Sequence, residues 1–342
     1  MPANPTIQYI AFIMLILASL VVRCGHESPT SPESDITILP ALTDSIPYDR
    51  LGKGKLVFER IQPSSSATYV LDIDRRASWG VSAHAINGPS ISPDGRTIAF
   101  SSPTGNFHER SIDLLDIAGS NRRRIFVESS GWAYAPSWSF DGTQVMFYVI
   151  PYPPTTARIL PLLRQSPFSD PVDRVQVIDL GKLEPPRYFQ PENPISSSSS
   201  GSIVVSAGGI RSFDNDGTNV RLLATDSNAF SPAWSPDGRH IAYLSLQHRF
   251  EFDLGRFSVI VLDTENGRAD TLATLSAIGY ANWAGDNCHS LCWSPDGSQI
   301  AFNKPDYPDG GSHIFVIRND GSALSRVTSV KGCTDRSLSW SR

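Results

Sequence analysis

Ser92-Pro93-Asp94-Gly95 followed by Thr97-Ile98-Ala99-Phe100 decides the fold, because the chain repeats it. It returns as Ser235-Pro236-Asp237-Gly238 before His240-Ile241-Ala242-Tyr243, and as Ser294-Pro295-Asp296-Gly297 before Gln299-Ile300-Ala301-Phe302. A variant, Ser139-Phe140-Asp141-Gly142, precedes Gln144-Val145-Met146-Phe147. Proline presets φ at the first corner of a turn, Asp suits the second, and Gly accepts φ > 0 at the exit. Each copy is therefore a tight reversal between two strands. The strand before the turn ends in Trp-Ser at Trp138, Trp234, Trp293 and Trp340. One such unit cannot bury its own apolar face, so the units must stack.

A second signal can be counted separately. Polar hairpin turns follow Tyr69–Asp74, Leu114–Gly119, Val177–Gly181, Arg211–Gly217, Val261–Gly267 and Val316–Gly321, which makes six third-to-fourth-strand hairpins. First-strand ends fall near Ile91, Trp138, Trp234, Trp293 and Trp340, with a degenerate one near Ile195 before Ser198-Ser199-Ser200-Gly201, again six. Lys55–Asp74 supplies second, third and fourth strands with no Trp-Ser before them, and Ser337–Ser341 is a first strand with nothing after it. Together they complete one unit. The expectation is an all-β, six-bladed propeller closed by the C-terminal strand, which removes exposed sheet edges.

The W-S-P-D-G-x-x-I-A-F pattern resembles the repeats of TolB-like β-propellers over about residues 51–342, nearly all of the expected mature chain. Six blades is a usual count in that family. The tryptophan–aspartate repeat family is a poorer match, since no Gly-His…Trp-Asp signature is present. TolB proper carries an α/β domain ahead of its propeller. The stretch before residue 51 is too short for one, so TolB's own role in envelope assembly is not expected to carry over.

The chain has 342 residues, 40% of them hydrophobic, and a formal net charge of −5, enough for a large core. That acidic balance, with no long basic run, argues against a nucleic-acid partner. Arg122-Arg123-Arg124 is the one basic cluster and reads as a solvated strand edge. Ile10 to Val22 is an uncharged apolar stretch of signal-peptide length. Cys24 follows Leu20-Val21-Val22-Arg23 and resembles a bacterial lipoprotein cysteine. Residues 1–24 are therefore expected as a signal and 25–50 as a Ser/Pro/Thr tether. The protein is expected outside the cytoplasm, in the periplasm or on the cell surface, as a monomer. A Cys288–Cys333 disulfide suits that compartment, and Cys292 reads as a buried thiol. Cys288, His289 and Cys292 lack a second ligand pair, so no metal and no cofactor is expected.

No nucleophile elbow, zinc-helix, phosphate-loop or calcium-loop motif is present. Asp214-Asn215-Asp216-Gly217 falls in hairpin register and reads as a turn. Binding is expected where loops depart from the repeat, on the face shared by second-to-third and fourth-to-first connections. The proline-rich stretch from Ile150 to about Asp173 is the longest such departure. The candidate ligand-binding residues are Trp132, Tyr134, Arg158, His248, Arg249, Tyr280, Trp283, His289 and Tyr307. Aromatics mixed with Arg and His suit a peptide or glycan. The reading is a non-catalytic binding or scaffold module for an envelope protein, peptide or glycan. The alternative is a polysaccharide lyase or hydrolase with a metal or a His/Arg site at the channel mouth, a His or Arg base with a metal or cationic partner, drawing on His84, His108, His248, His289 or His313.

Overall fold

The computed structural model describes residues 41–63, 65–82, 87–104, 110–128, 131–151, 158–163, 178–179, 195–247, 254–278, 290–305 and 311–341. Among the described residues, twenty-four strands pair antiparallel within four-stranded units. The first unit holds β1 (Lys55–Gln62), β2 (Ser65–Asp72) and β3 (Ala77–Ser82). The second holds β4 (Asn87–Ile91), β5 (Thr97–Pro103), β6 (Arg110–Asp116) and β7 (Arg123–Glu128). The third holds β8 (Gly131–Trp138), β9 (Gln144–Pro151), β10 (Arg158–Leu163) and β11 (Ile178–Asp179). The fourth is short: β12 (Ser196–Ser197), β13 (Ile203–Ser206), β14 (Ile210–Phe213) and β15 (Arg221–Ala224). The fifth holds β16 (Ala229–Trp234), β17 (His240–Gln247), β18 (Leu254–Asp263) and β19 (Ala269–Ile278). The sixth holds β20 (Leu291–Trp293), β21 (Gln299–Pro305), β22 (Ser312–Arg318) and β23 (Ser325–Arg326). The last strand, β24 (Thr334–Ser341), pairs with β1 as the missing first strand of the first unit.

The inner strands touch in the cyclic order β24, β4, β8, β12, β16, β20 and back to β24. Each junction is sewn by a hydrogen bond between neighbouring inner strands or the residues that flank them. Trp138 Nε1 donates to Ser90 O at 3.1 Å and Trp293 Nε1 to Ala233 O at 3.0 Å. Elsewhere a serine hydroxyl accepts a backbone N–H: Ser339 from Ile91, Ser197 from Phe140, Ser196 from Trp234 and Ser290 from Leu338, at 2.7–3.1 Å. Such pairs occupy backbone groups that an inner sheet edge would otherwise leave open.

The I-A-F run explains itself in this frame. Side chains alternate across a strand, so both faces of each unit meet a neighbour. Ile98 and Phe100 join the cluster toward the first unit, while Ala99 joins the cluster toward the third, beside Trp138. Ala242 likewise lies with Trp293, and Ala301 with Trp340. In these three units the small residue makes room for the next unit's indole, whereas Val204 holds the same position in the cluster with Trp234. Where the next unit has Ser197 in the Trp position, the small residue becomes fully buried Met146. Where it has Ile91, the small residue becomes Val57.

Three expectations change here. Val177–Gly181 is not the third strand of its unit. The apolar run Arg158–Leu163 takes that place, pairing with Gln144–Val149, and Ile178–Asp179 is the fourth strand. Pro161 is accommodated opposite Met146 within this pairing. Residues 41–50, expected as tether, are packed: Leu42, Ile46 and Tyr48 lie against the cluster between the sixth and first units. Arg122 and Arg124 are not simply solvated, because both bond to the buried Asp113 carboxylate, at 2.7 and 3.4 Å in their closest contacts. Residues 1–40 lie outside the described residues.

Cys333 is a buried free thiol, with Gln62 Nε2 at 3.5 Å from its sulfur. Cys288, its expected partner, lies outside the described residues. Cys292 is also a free thiol, and burial pushes its pKa up.

The join of β24 to β1, and of that unit to the sixth, has its own fastening. Arg60 grips Asp335 with two bonds, Nε to Oδ1 at 2.6 Å and Nη2 to Oδ2 at 2.8 Å. Its Nη1 reaches Asp44 Oδ2 at 2.6 Å. Asp44 Oδ1 accepts the backbone N–H groups of Ser329 and Val330. Burial opposes the Arg60 charge, but the bonds to Asp335 and Asp44 outweigh it and raise its pKa. Gly54 and Gly311, both at positive φ, admit the carbonyls of Ser341 and Cys333 where a Cβ would stand at 2.0 Å from each. Both ends of β24 are thus seated against glycine.

Two measurements check this account. Arg60→Ala leaves two carboxylates buried without their cation, so chemical unfolding should show a loss of about 3–5 kcal/mol. Met146→Ala should open a cavity beside Ser197 and lower stability by about 2–5 kcal/mol. A cost under about 1 kcal/mol would mean that Met146 is not compensating for an absent indole.

Candidate functional site

The two ends of the ring are built differently. First-to-second and third-to-fourth turns share one end, and the remaining connections share the other. At the turn end, each S-x-D-G reversal closes the same way. The serine Oγ donates to the Asp Oδ1 two residues on, as in Ser139–Asp141 and Ser294–Asp296 at 2.6 Å. The same Oγ accepts the N–H five residues on, at 2.9–3.0 Å in Thr97, Gln144, His240 and Gln299. In the fourth unit Ser198 and Ser200 replace this pair, with their hydroxyls 2.8 Å apart. Burial alone would raise the Asp141, Asp237 and Asp296 pKa values, but these turn bonds outweigh it and hold all three below 3.8.

The stretch Asp214-Asn215-Asp216-Gly217, expected as a turn, is one. Asp214 O accepts from Gly217 N at 2.8 Å, and Asp216 Oδ1 accepts from Thr218 N at 2.9 Å and Thr218 Oγ1 at 2.6 Å. Among the described residues, no three His, Cys, Asp or Glu side chains lie close enough together to hold a metal ion.

At the loop end, the structure brings together two of the expected residues. Trp132 and Tyr134 stand on alternate positions at the start of β8, half-buried. Their rings are 6.1 Å apart at 61°, an edge-on arrangement. The Arg110 guanidinium, at the start of β6, lies 5.2 Å from the Tyr134 ring centre. Sequence reasoning missed Arg110. Its signal was the position, the first residue after a second-to-third connection on a unit next to β8. Tyr134 faces Tyr148 across the β8–β9 pair, and burial pushes the Tyr148 hydroxyl up.

Arg158 is not on a loop: it opens β10, opposite Val149 and Asp179. His248, Arg249, Tyr280, Trp283, His289 and Tyr307 lie outside the described residues, as do Cys24, His84 and His108. Of the histidines weighed for catalysis, His313 alone is described. It is fully buried on β22.

No family model matches the chain. The Tol-Pal system protein TolB of Francisella tularensis subsp. mediasiatica is 29% identical over 119 residues, 35% of this chain and 24% of that protein. TolB of Alcanivorax borkumensis is 35% identical over 89 residues, 26% of this chain and 17% of the relative. The match thus spans about a quarter or less of the curated relatives' own length. Solved structures resemble the whole fold. A putative TolB from Agrobacterium tumefaciens has a TM-score of 0.51 and 15% identity, covering 84% of this chain and 98% of its own. An oligogalacturonate lyase in complex with manganese gives 0.52 and 14%, covering 86% of each chain. A chain of a nidogen/laminin complex gives 0.56 and 13%, covering 83% of this chain and 97% of its own. At these identities the likeness shows the fold, a TolB-like β-propeller, and nothing of the chemistry.

The turn aspartates are testable as structural groups. The folded carboxyl of Asp296 lies below 3.8, so its contribution is present above that pH and lost as pH falls below it. Asp296→Asn should lower stability at neutral pH by about 1 kcal/mol after solvent screening. Thermal melts should show the gap to wild type closing as the pH is taken below the native carboxyl's pKa.

Proposed function

We propose that the chain is an exported propeller, tethered through its N-terminal segment with Cys24 as the lipidated residue, that binds a cell-envelope protein partner through its loop end. It acts as a scaffold rather than as a catalyst. The cluster of Arg110, Trp132 and Tyr134 carries this reading. A guanidinium over a phenol ring with an indole edge beside it is the composition of an interface anchor, where aromatic and Arg side chains concentrate binding energy. The three come from two neighbouring units, so the rigid strands hold them without a loop having to order. The partial similarity to TolB, named for the Tol-Pal system, supports a protein partner in the envelope. No helix among the described residues is long and apolar enough to cross a membrane.

Crosslinked pull-down from envelope fractions, comparing wild type with the Trp132→Ala/Tyr134→Ala pair, tests the assignment. Each anchor truncated should weaken capture of the same partner by about 2 kcal/mol, roughly 30-fold. Equal capture by both proteins would remove the loop end as the binding surface. Release of unsaturated sugar products from a polyuronide by the wild-type chain would replace the scaffold reading with a lyase.

A further inference from the structure

The channel between the inner strands opens at the turn end into a cavity of about 590 Å³, the face opposite the proposed partner site. That size lies within the range of small-molecule pockets, about 300–1,000 Å³. Bulges widen the inner strands at Gly88, Ala135, Ser231 and Ser337, each at positive φ. Three features give the cavity a chemistry.

The first is Phe140. The equivalent position in the other S-x-D-G turns is Pro93, Pro236 or Pro295, and each proline seats on an adjacent glycine. A Cβ on Gly142 would meet Pro93 at 3.4 Å, one on Gly297 would meet Pro236 at 3.6 Å, and one on Gly54 would meet Pro295 at 3.2 Å. Phe140 instead leaves 40% of its surface exposed, although it lines the cavity. The turn chemistry does not ask for an aromatic there.

The second is charge. Asp94 and Asp141 are the only ionisable lining residues other than Cys292, so no cation faces the cavity among the described residues. Each spends its Oδ1 on its own turn, which leaves Oδ2 as an acceptor for a ligand's hydroxyl. The two turns are neighbours, as the approach of Pro93 to Gly142 shows. The third is the wall. Half-buried hydroxyls of Ser137 and Ser337 share it with Trp138, Trp234, Trp293 and Trp340.

We propose that this cavity binds a neutral carbohydrate, with a sugar ring stacked on Phe140 and its hydroxyls shared between Asp94, Asp141 and the serines. An aromatic face matches the C–H face of a pyranose, while carboxylate and hydroxyl groups match its O–H donors. Anionic sugars are disfavoured, because the carboxylates repel them and no cation among the described lining residues compensates. This assignment stands apart from the loop-end reading and uses none of its residues.

Four tryptophans line the wall, so occupancy should change their emission. The purified full chain is titrated with D-glucose, N-acetylglucosamine and maltose as neutral probes, and with glucuronate as the anionic one. At least one neutral probe should give a saturable change at millimolar concentration, and glucuronate should bind more weakly. Phe140→Ala should weaken the response about tenfold or more, equal to ~1.4 kcal/mol. Phe140→Pro restores the sequence of the other turns, and thermal melts establish that it folds. It should show the same loss, whereas the Trp132→Ala/Tyr134→Ala pair should respond like wild type. No saturable change with any neutral probe would overturn the proposal. So would equal binding of glucuronate, or an undiminished response in both folded Phe140 variants.

Discussion

The bidentate bond between Arg60 and Asp335 holds shut the one place where this ring is not covalently continuous. Every other unit receives its first strand from the chain just before it. The first unit receives β24 from the far end, so its integrity rests on non-covalent contacts. Taking a guanidinium and two carboxylates out of water is expensive, and the expense is recovered only when geometry and further hydrogen bonds are good. Here both conditions hold. Asp335 and Asp44 approach from different elements, Phe58 and Tyr69 lie 5.7 and 5.8 Å from the guanidinium, and two backbone N–H groups complete Asp44. Arg336 adds a second bond across the same strand pair, to Glu59 at 2.9 Å. A purely apolar seam would also have been stable. The ionic one additionally fixes register, because a slip of β24 by one residue would turn Asp335 to the other face.

The seam recruits residues 41–54 as well. Gly52 N and Arg50 O bracket the Gln299 side chain, and Lys53 O accepts the Trp340 indole at 2.9 Å. The segment spans the sixth and first units, where β23 is only two residues long. Apolar surface that a full outer strand would cover is met instead by Leu42, Ile46, Tyr48 and Leu51. Any pull on the chain ahead of residue 41 is therefore transmitted to the closure, not to a free tail.

Much of the fold was legible because the repeat states it twice, in the turn residues and in the Trp-Ser strand ends. The alternation Ile-Ala-Phe also predicts which side faces which neighbour, once both faces are known to be buried. Legibility failed where local pattern and pairing partner diverge. Val177–Gly181 looks like the other third strands, but Arg158–Leu163 offers six residues in register with β9 and takes the position. The packing of residues 41–50 was hidden because their anchor, Asp44, has meaning only beside Arg60 and Ser329. The site was less legible still. Trp132 and Tyr134 announce themselves as aromatics next to a connection, whereas Arg110 becomes part of the cluster only through the stacking of two units.

Departures from a repeat divide into those that the packing explains and those that it does not. Met146 departs from the small residue of its siblings, and Ser197 departs from their tryptophan. Each accounts for the other, since together they keep the volume at that junction filled. Ser198 and Ser200 replace the Ser-Asp pair and still bond to each other. Phe140 has no such counterpart. Its backbone N–H finds Ser197 Oγ at 2.8 Å, so the turn is intact, but the ring is left against a cavity and solvent. With 40% of its surface exposed, the ring forgoes roughly 1 kcal/mol that full burial would have supplied. In a ring whose other substitutions compensate one another locally, the compensation for this one is most simply sought in something that enters the channel.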